Sequence, residues 1–103
     1  MKEYTETLLK HIPEEDGYYV YVLLCENHSL YCGWTTNIKK RFALHKSGKG
    51  AKYTRMHPPI GVFYYEKLQS KEEALKREYA IKHLTRKEKL ALQNPTSVSI
   101  QDV

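Results

Sequence analysis

The stretch YYVYVLLCENHSLYCG, from Tyr18 to Gly33, decides the fold. Its first half, Tyr18 to Cys25, is aromatic, β-branched and apolar throughout, the composition of a buried strand. Glu26 to Ser29 is turn chemistry and Leu30 to Gly33 starts a second strand, so the segment reads as a β-hairpin. Along the first strand Tyr19, Tyr21, Leu23 and Cys25 share one face. Tyr31 joins that face only if paired residues sum to an even number, as with a three-residue loop Asn27-His28-Ser29. Cys32 then points away from Cys25, and no disulfide is expected. Gly33 leaves space for a backbone or a ligand to come close.

Outward from the hairpin, helix signals follow one another. Asn37 is an N-cap for a helix from Ile38 to about Lys46, which Ser47-Gly-Lys-Gly50 ends. A basic loop runs from there to Pro59, and Gly61 to Glu66 is a third strand. Ser70 with Glu73 forms a capping box opening a helix through about His83, and Thr85 with Glu88 repeats it for a last helix to about Leu92. The order is ββαβαα, an α+β fold with a small three-stranded antiparallel sheet flanked by helices. Residues 1–16 read as an acidic arm holding a short helix or no regular structure, 17–93 as the domain, and 94–103 as a loosely held tail.

The chain has 103 residues, enough for one compact domain, and 41% of them are hydrophobic. No apolar run approaches the roughly 18 residues of a membrane span. The acidic start is unlike a signal peptide, so the expected location is cytoplasmic, with no membrane partner. Cys25, His28 and Cys32 form a C-x2-H-x3-C string, but a fourth zinc ligand is lacking nearby and core thiols are the better reading. From Asn27 to Tyr65 there is no Asp or Glu but seven cations: Lys39, Lys40, Arg41, Lys46, Lys49, Lys52 and Arg55. With a net charge of +5, the rest of the chain carries −2, that is, 5 minus 7. Such a block suits a polyanion such as nucleic acid, or is a solvated face.

Three local patterns carry candidate chemistry, and each has a bland alternative. At 100° steps along the Ser70 helix, Ala74, Leu75, Glu78 and Ile81 share a face with Glu78 near its middle, as a metal ligand or in a structural ion pair. Arg41 and His45, four apart, border the side marked by Ile38 and Phe42, reaching toward a phosphate or merely snorkelling and capping. The tyrosine stripe serves packing or catalysis.

Taken together, Tyr19-Val20-Tyr21, Tyr31-Cys32-Gly33, Arg41, His45 and Glu78 resemble the GIY-YIG nuclease family in order and spacing. The segment YCGWTTNIKKRFALH is similar to its Y-x-G-x-T-x-N-x-x-x-R-x-x-x-H pattern, and the whole is similar to the short stand-alone bacterial members over residues 17 to 93. Tyr19 stands where the family has glycine and Cys32 where it has isoleucine.

The resemblance implies a metal-dependent endonuclease acting on nucleic acid, DNA before RNA, selective for structure rather than sequence, in repair or recombination. It implies that Glu78 holds Mg²⁺ or Mn²⁺, that Arg41 binds a phosphate oxygen, and that Tyr21 is the base toward water with His45 as its proton acceptor. Tyr31 then positions water or phosphate. Gly33, Thr35, Lys46, Lys49, Lys52, Tyr53 and Arg55 are the expected substrate-binding residues. The five catalytic side chains should converge on one concave patch of the sheet. The alternative is a nucleic-acid-binding module that cleaves little or not at all. The chain carries no separate DNA-reading module, so a protein partner supplying specificity is a further expectation.

Overall fold

The computed structural model describes residues 8–93. Strands β1 (Tyr18–Cys25) and β2 (Leu30–Thr35) lead into helices α1 (Ile38–Lys46) and α2 (Lys52–Met56). Strand β3 (Pro59–Leu68) and helices α3 (Lys71–Lys82) and α4 (Arg86–Ala91) follow. The sheet is antiparallel in the order β2-β1-β3, so the most apolar strand takes the centre. The order is ββααβαα: the segment expected as a basic loop contains a short helix. That helix has no side-chain cap at Ala51, and its inward residue is Thr54, fully buried. Tertiary contact, not a local signal, holds it.

The hairpin closes through residues 26–28, one position earlier than the 27–29 loop. Cys25 N–H donates to Ser29 O at 2.9 Å and His28 N–H to Cys25 O at 2.8 Å, and His28 has φ of 68°. This is a three-residue loop whose last residue is left-handed. The parity is the even one: Tyr21 faces Gly33 and Leu23 faces Tyr31. Moving the loop by one position changes the sum from 56 to 54 and keeps it even, so Tyr21 and Tyr31 still share a face; a slip of one in the sum would have reversed the strand. Cys25 and Cys32 are both free and buried.

Each sheet face has its own core. Val20, Val22, Leu24, Cys32 and Phe63 pack under Ala74 and Ile81 of α3. Tyr19, Tyr21, Leu23 and Val62 pack under Ile38, with Tyr31 and Phe42 beside them. A register shift in β3 opposite Val22 and Leu23 leaves Phe63 as an extra residue and lets the neighbours Phe63 and Tyr64 serve the same core, while Val62 and Tyr65 serve the other.

The last part of the acidic arm is tied down. Leu9 N–H donates to Val62 O at 2.9 Å, Leu9 and Ile12 join the tyrosine-side core, and Asn37 Nδ2 donates to Glu14 O and Asp16 Oδ1. No regular helix forms across residues 8–16. The tail 94–103 lies outside the described residues. Among the described residues no helix is long and apolar enough to cross a membrane.

Candidate active site

Asn37 accepts from Lys40 N–H at 3.0 Å and starts α1 so that Ile38 and, two turns on, His45 face the sheet. His45 does not border the core but lies in it, 1% exposed. Its Nε2 is 2.9 Å from the Tyr21 hydroxyl and its Nδ1 is 2.7 Å from Thr54 Oγ1. Thr54 donates its own proton to Ala51 O at 3.0 Å. The threonine oxygen can therefore only accept from His45, which puts the imidazole proton on Nδ1 and leaves Nε2 to accept from Tyr21. Burial, with the Arg41 cation second, lowers the His45 pKa, and burial first of all raises that of Tyr21 far above the usual phenol value. The resting pair is neutral imidazole and neutral phenol.

Two glycines hold this chain of bonds. A methyl on Gly33 would come within 2.5 Å of the Tyr21 hydroxyl, and one on Gly50 within 2.4 Å of His45 Nδ1. The space at Gly33, expected for a ligand, is filled by Tyr21. Thr35, expected to face substrate, is buried, and its hydroxyl exchanges hydrogen bonds with the Asn37 backbone in the β2–α1 turn. Thr54 was not readable from the sequence as part of this group. A Thr nine residues after a His inside a basic stretch carries no signal; its place depends on α2 folding back onto α1.

Arg41 is exposed and, among the described residues, makes no ion pair. Glu78 lies on α3, its side chain 18% exposed, with Lys82 Nζ at 3.3 Å and its carbonyl 3.9 Å from Cys32 Sγ. The face expected to centre on Glu78 is rotated: Leu75 is 41% exposed. Arg77 takes the other flank and grips Glu66 of β3 in a bidentate pair at 2.7 to 3.0 Å. Arg77 and Glu66 form the structural ion pair of this helix, and Glu78 points toward β2.

The electrostatics of the tyrosines reports on both helices. Burial raises the Tyr31 pKa, and Lys82, Glu78 and Arg41 all act on it; Arg41 and Glu78 act on Tyr21 as well. Since α1 and α3 cover opposite faces, these groups meet around the β2 edge of the sheet rather than on one face of it. Lys46, Lys49, Lys52 and Arg55 are exposed on the end of α1, the following loop and α2. Tyr53, on α2, stacks parallel to Tyr31 with ring centres 6.0 Å apart.

Glu78 is the residue that would hold a divalent cation. Among the described residues no three His, Cys, Asp or Glu side chains cluster. Glu78 by itself suits Mg²⁺, which keeps several waters and takes phosphate oxygens as further ligands. Its ion-pair partner Lys82 is half-exposed.

Residues 17–91 match the family described as the GIY-YIG catalytic domain. A "UPF0213 protein" of Clostridium perfringens is 50% identical over 80 residues, 78% of this chain and 86% of the relative. Another, of Staphylococcus haemolyticus, is 48% identical over 75 residues, 73% of this chain and 92% of that one. The solution NMR structure of a protein from E. faecalis, 40% identical, matches with a TM-score of 0.57 over 84% of this chain and 93% of that chain. The family is one of endonucleases, and the chain belongs to it, beside the short bacterial UPF0213 proteins.

Proposed function

We propose that the chain is a metal-dependent endonuclease hydrolysing phosphodiester bonds in nucleic acid, DNA before RNA, at branched, flapped or single-stranded sites in repair or recombination. The observation that carries this reading is the buried chain Tyr21–His45–Thr54–Ala51, which gives a phenol somewhere to send its proton. A phenol with a raised pKa cannot rest as a phenolate at neutral pH. It can accept a proton from water while passing its own to His45 Nε2. The imidazolium so formed keeps both N–H groups bonded, to Tyr21 and to Thr54.

The water oxygen attacks phosphorus, and the 3′ oxygen leaves. Arg41 binds a non-bridging oxygen and offsets the charge that builds there. Tyr31, kept neutral by its raised pKa, donates to water or phosphate. Glu78 would hold the divalent cation, which when bound polarises the phosphate and stabilises the departing oxygen. A module for binding alone needs no buried proton acceptor behind a tyrosine. The test is a cleavage panel of branched, flapped, duplex and single-stranded DNA and RNA with Mg²⁺, Mn²⁺ or EDTA. Metal-dependent cutting that Tyr21→Phe and Glu78→Gln each abolish is the expected result. Binding without cutting on every substrate would overturn the reading in favour of a binding module.

A further inference from the structure

Beside the candidate active site an open cleft of about 420 Å³ is lined by Leu30, Tyr31, Cys32, Tyr53, Lys82 and Lys89. Its volume falls in the range of about 300–1,000 Å³ usual for small-ligand sites. One wall is aromatic. Tyr53 lies nearly parallel to Tyr31, with 13° between the ring planes, and is 39% exposed. The other wall is cationic, with Lys82 from α3 and Lys89 from α4. Leu30 and Cys32 line it between them. Neither lysine belongs to the basic block of residues 27–65, so a second, separately encoded source of positive charge meets the tyrosines here.

Tyr53 is held more firmly than packing requires. Its hydroxyl donates to Ser29 Oγ at 2.6 Å, and Ser29 donates in turn to Asn27 Oδ1 at 2.6 Å. His57 packs against the same ring at 4.8 Å. An exposed aromatic ring anchored to a hairpin turn loses little entropy when something stacks on it. Tyr31 is common to both sites: its ring meets His45 at 5.4 Å on one side and Tyr53 on the other. Lys82 is common too, through its pairing with Glu78. Whatever occupies the cleft therefore lies next to a phosphate bound at Arg41 and Glu78.

We propose that this cleft is a nucleotide subsite, taking the unpaired nucleotide adjacent to the scissile phosphodiester with its base against Tyr53 and Tyr31 and its phosphate on Lys82 and Lys89. Its position relative to the cut rests on the nuclease reading above; its binding does not. A base inside a duplex has both faces covered by its neighbours, so only an unpaired or splayed nucleotide can stack on a tyrosine. The lining side chains include no amide or carboxylate to read a base edge, so the subsite selects strandedness and tolerates sequence.

The test is fluorescence anisotropy in EDTA at fixed salt, where nothing is cut, with labelled oligo-dT, oligo-U and a blunt DNA duplex. Tyr53→Ala should bind the preferred single strand about tenfold more weakly, the effect of removing one base stack. Tyr53→Phe should stay within about threefold, because it keeps the ring. Lys82→Ala with Lys89→Ala should weaken single-strand binding without loss of thermal stability, which guards against a Tyr53→Ala variant that fails to fold. Duplex affinity should change little in all of them. The dT and U arms show whether the strand is DNA or RNA. Single-strand binding that no cleft variant weakens, an equal loss on the duplex, or no single-strand binding at all would overturn the subsite. A protein that binds through the cleft but never cuts would instead overturn the nuclease reading and leave the subsite standing.

Discussion

The hydroxyl of Tyr21 donates to Nε2 of His45 across 2.9 Å, and the two residues are almost wholly buried, 2% and 1% exposed. The bond joins the centre of the sheet to the last turn of α1, 24 residues away. In the proposed mechanism it makes a tyrosine that is inert as a base one half of a proton relay.

In the proposed relay His45 works only as the neutral imidazole, so its protonation should switch the reaction off. Burial and Arg41 place its pKa below the ordinary 6.5. The acid limb of kcat/KM against pH should accordingly lie below about 6.5. His45→Gln should lower kcat by about 10²–10⁴-fold with binding kept. The same lowered pKa has a stability sign: the contribution is complete above the unfolded pKa and declines as pH falls from there through the folded pKa. An acid limb above the ordinary histidine value would contradict the relay. Rate profiles and melting curves across the range decide both points.

Thr54 sets the tautomer. Thr54→Val removes the acceptor from a buried Nδ1–H, at a cost of about 1–3 kcal/mol. It should lower kcat at least about tenfold with KM little changed, since Tyr21 loses its oriented acceptor. Thr54→Ser, which keeps the hydroxyl, should restore most of the rate. Equal rates in the Val and wild-type proteins would remove Thr54 from the site.

Glu78→Gln should leave the melting temperature nearly unchanged, because an i,i+4 pair such as Glu78–Lys82, with half of the lysine side chain in solvent, is worth only about 0.3–0.5 kcal/mol. Cleavage should be lost, and with it the dependence of nucleic-acid binding on added Mg²⁺. The contrasting variant is Glu66→Gln. Burial pulls the Glu66 pKa up, but hydrogen bonds from Arg77 and Tyr64 outweigh it and hold it below the ordinary value. That substitution should destabilise more than Glu78→Gln while sparing cleavage. A Glu78→Gln protein weakened by about 3–5 kcal/mol would mark a buried structural charge and sink the metal role.

Lys46, Lys49, Lys52 and Arg55 should act through phosphates. For every phosphate that an alanine variant of these four no longer neutralises, the slope of log affinity against log salt should flatten by about 0.7–0.9. If the quadruple variant keeps the wild-type affinity and slope, these four are only a solvated face. Lys39, already paired with Glu14 at 3.1 Å, serves as the control with no effect on the slope.

The amino-acid order alone determined what depends on neighbours in the chain. The apolar run from Tyr18 and the caps at Asn37, Ser70 and Thr85 are local choices and appear where the sequence puts them, although only Thr85 closes a full capping box; the Glu73 carboxylate accepts from Gln69 N–H instead of Ser70 N–H. The even register was legible as a condition, since parity follows from loop length, but its loop lies one residue earlier than the pattern suggests. Tertiary structure decided the rest. Whether His45 borders the core or fills it depends on how closely α1 lies on β1, and Gly33 and Gly50 permit that approach by lacking side chains. Helix α2 forms because Thr54 finds His45, a partner nine residues away that no capping rule foresees. Leu75 turns outward and Arg77 inward because Glu66 waits on β3, so an ion pair across two elements overrides the apolar periodicity of one. Periodicity says which side of a helix is buried; only the packed sheet says which polar groups meet there and which protons they share.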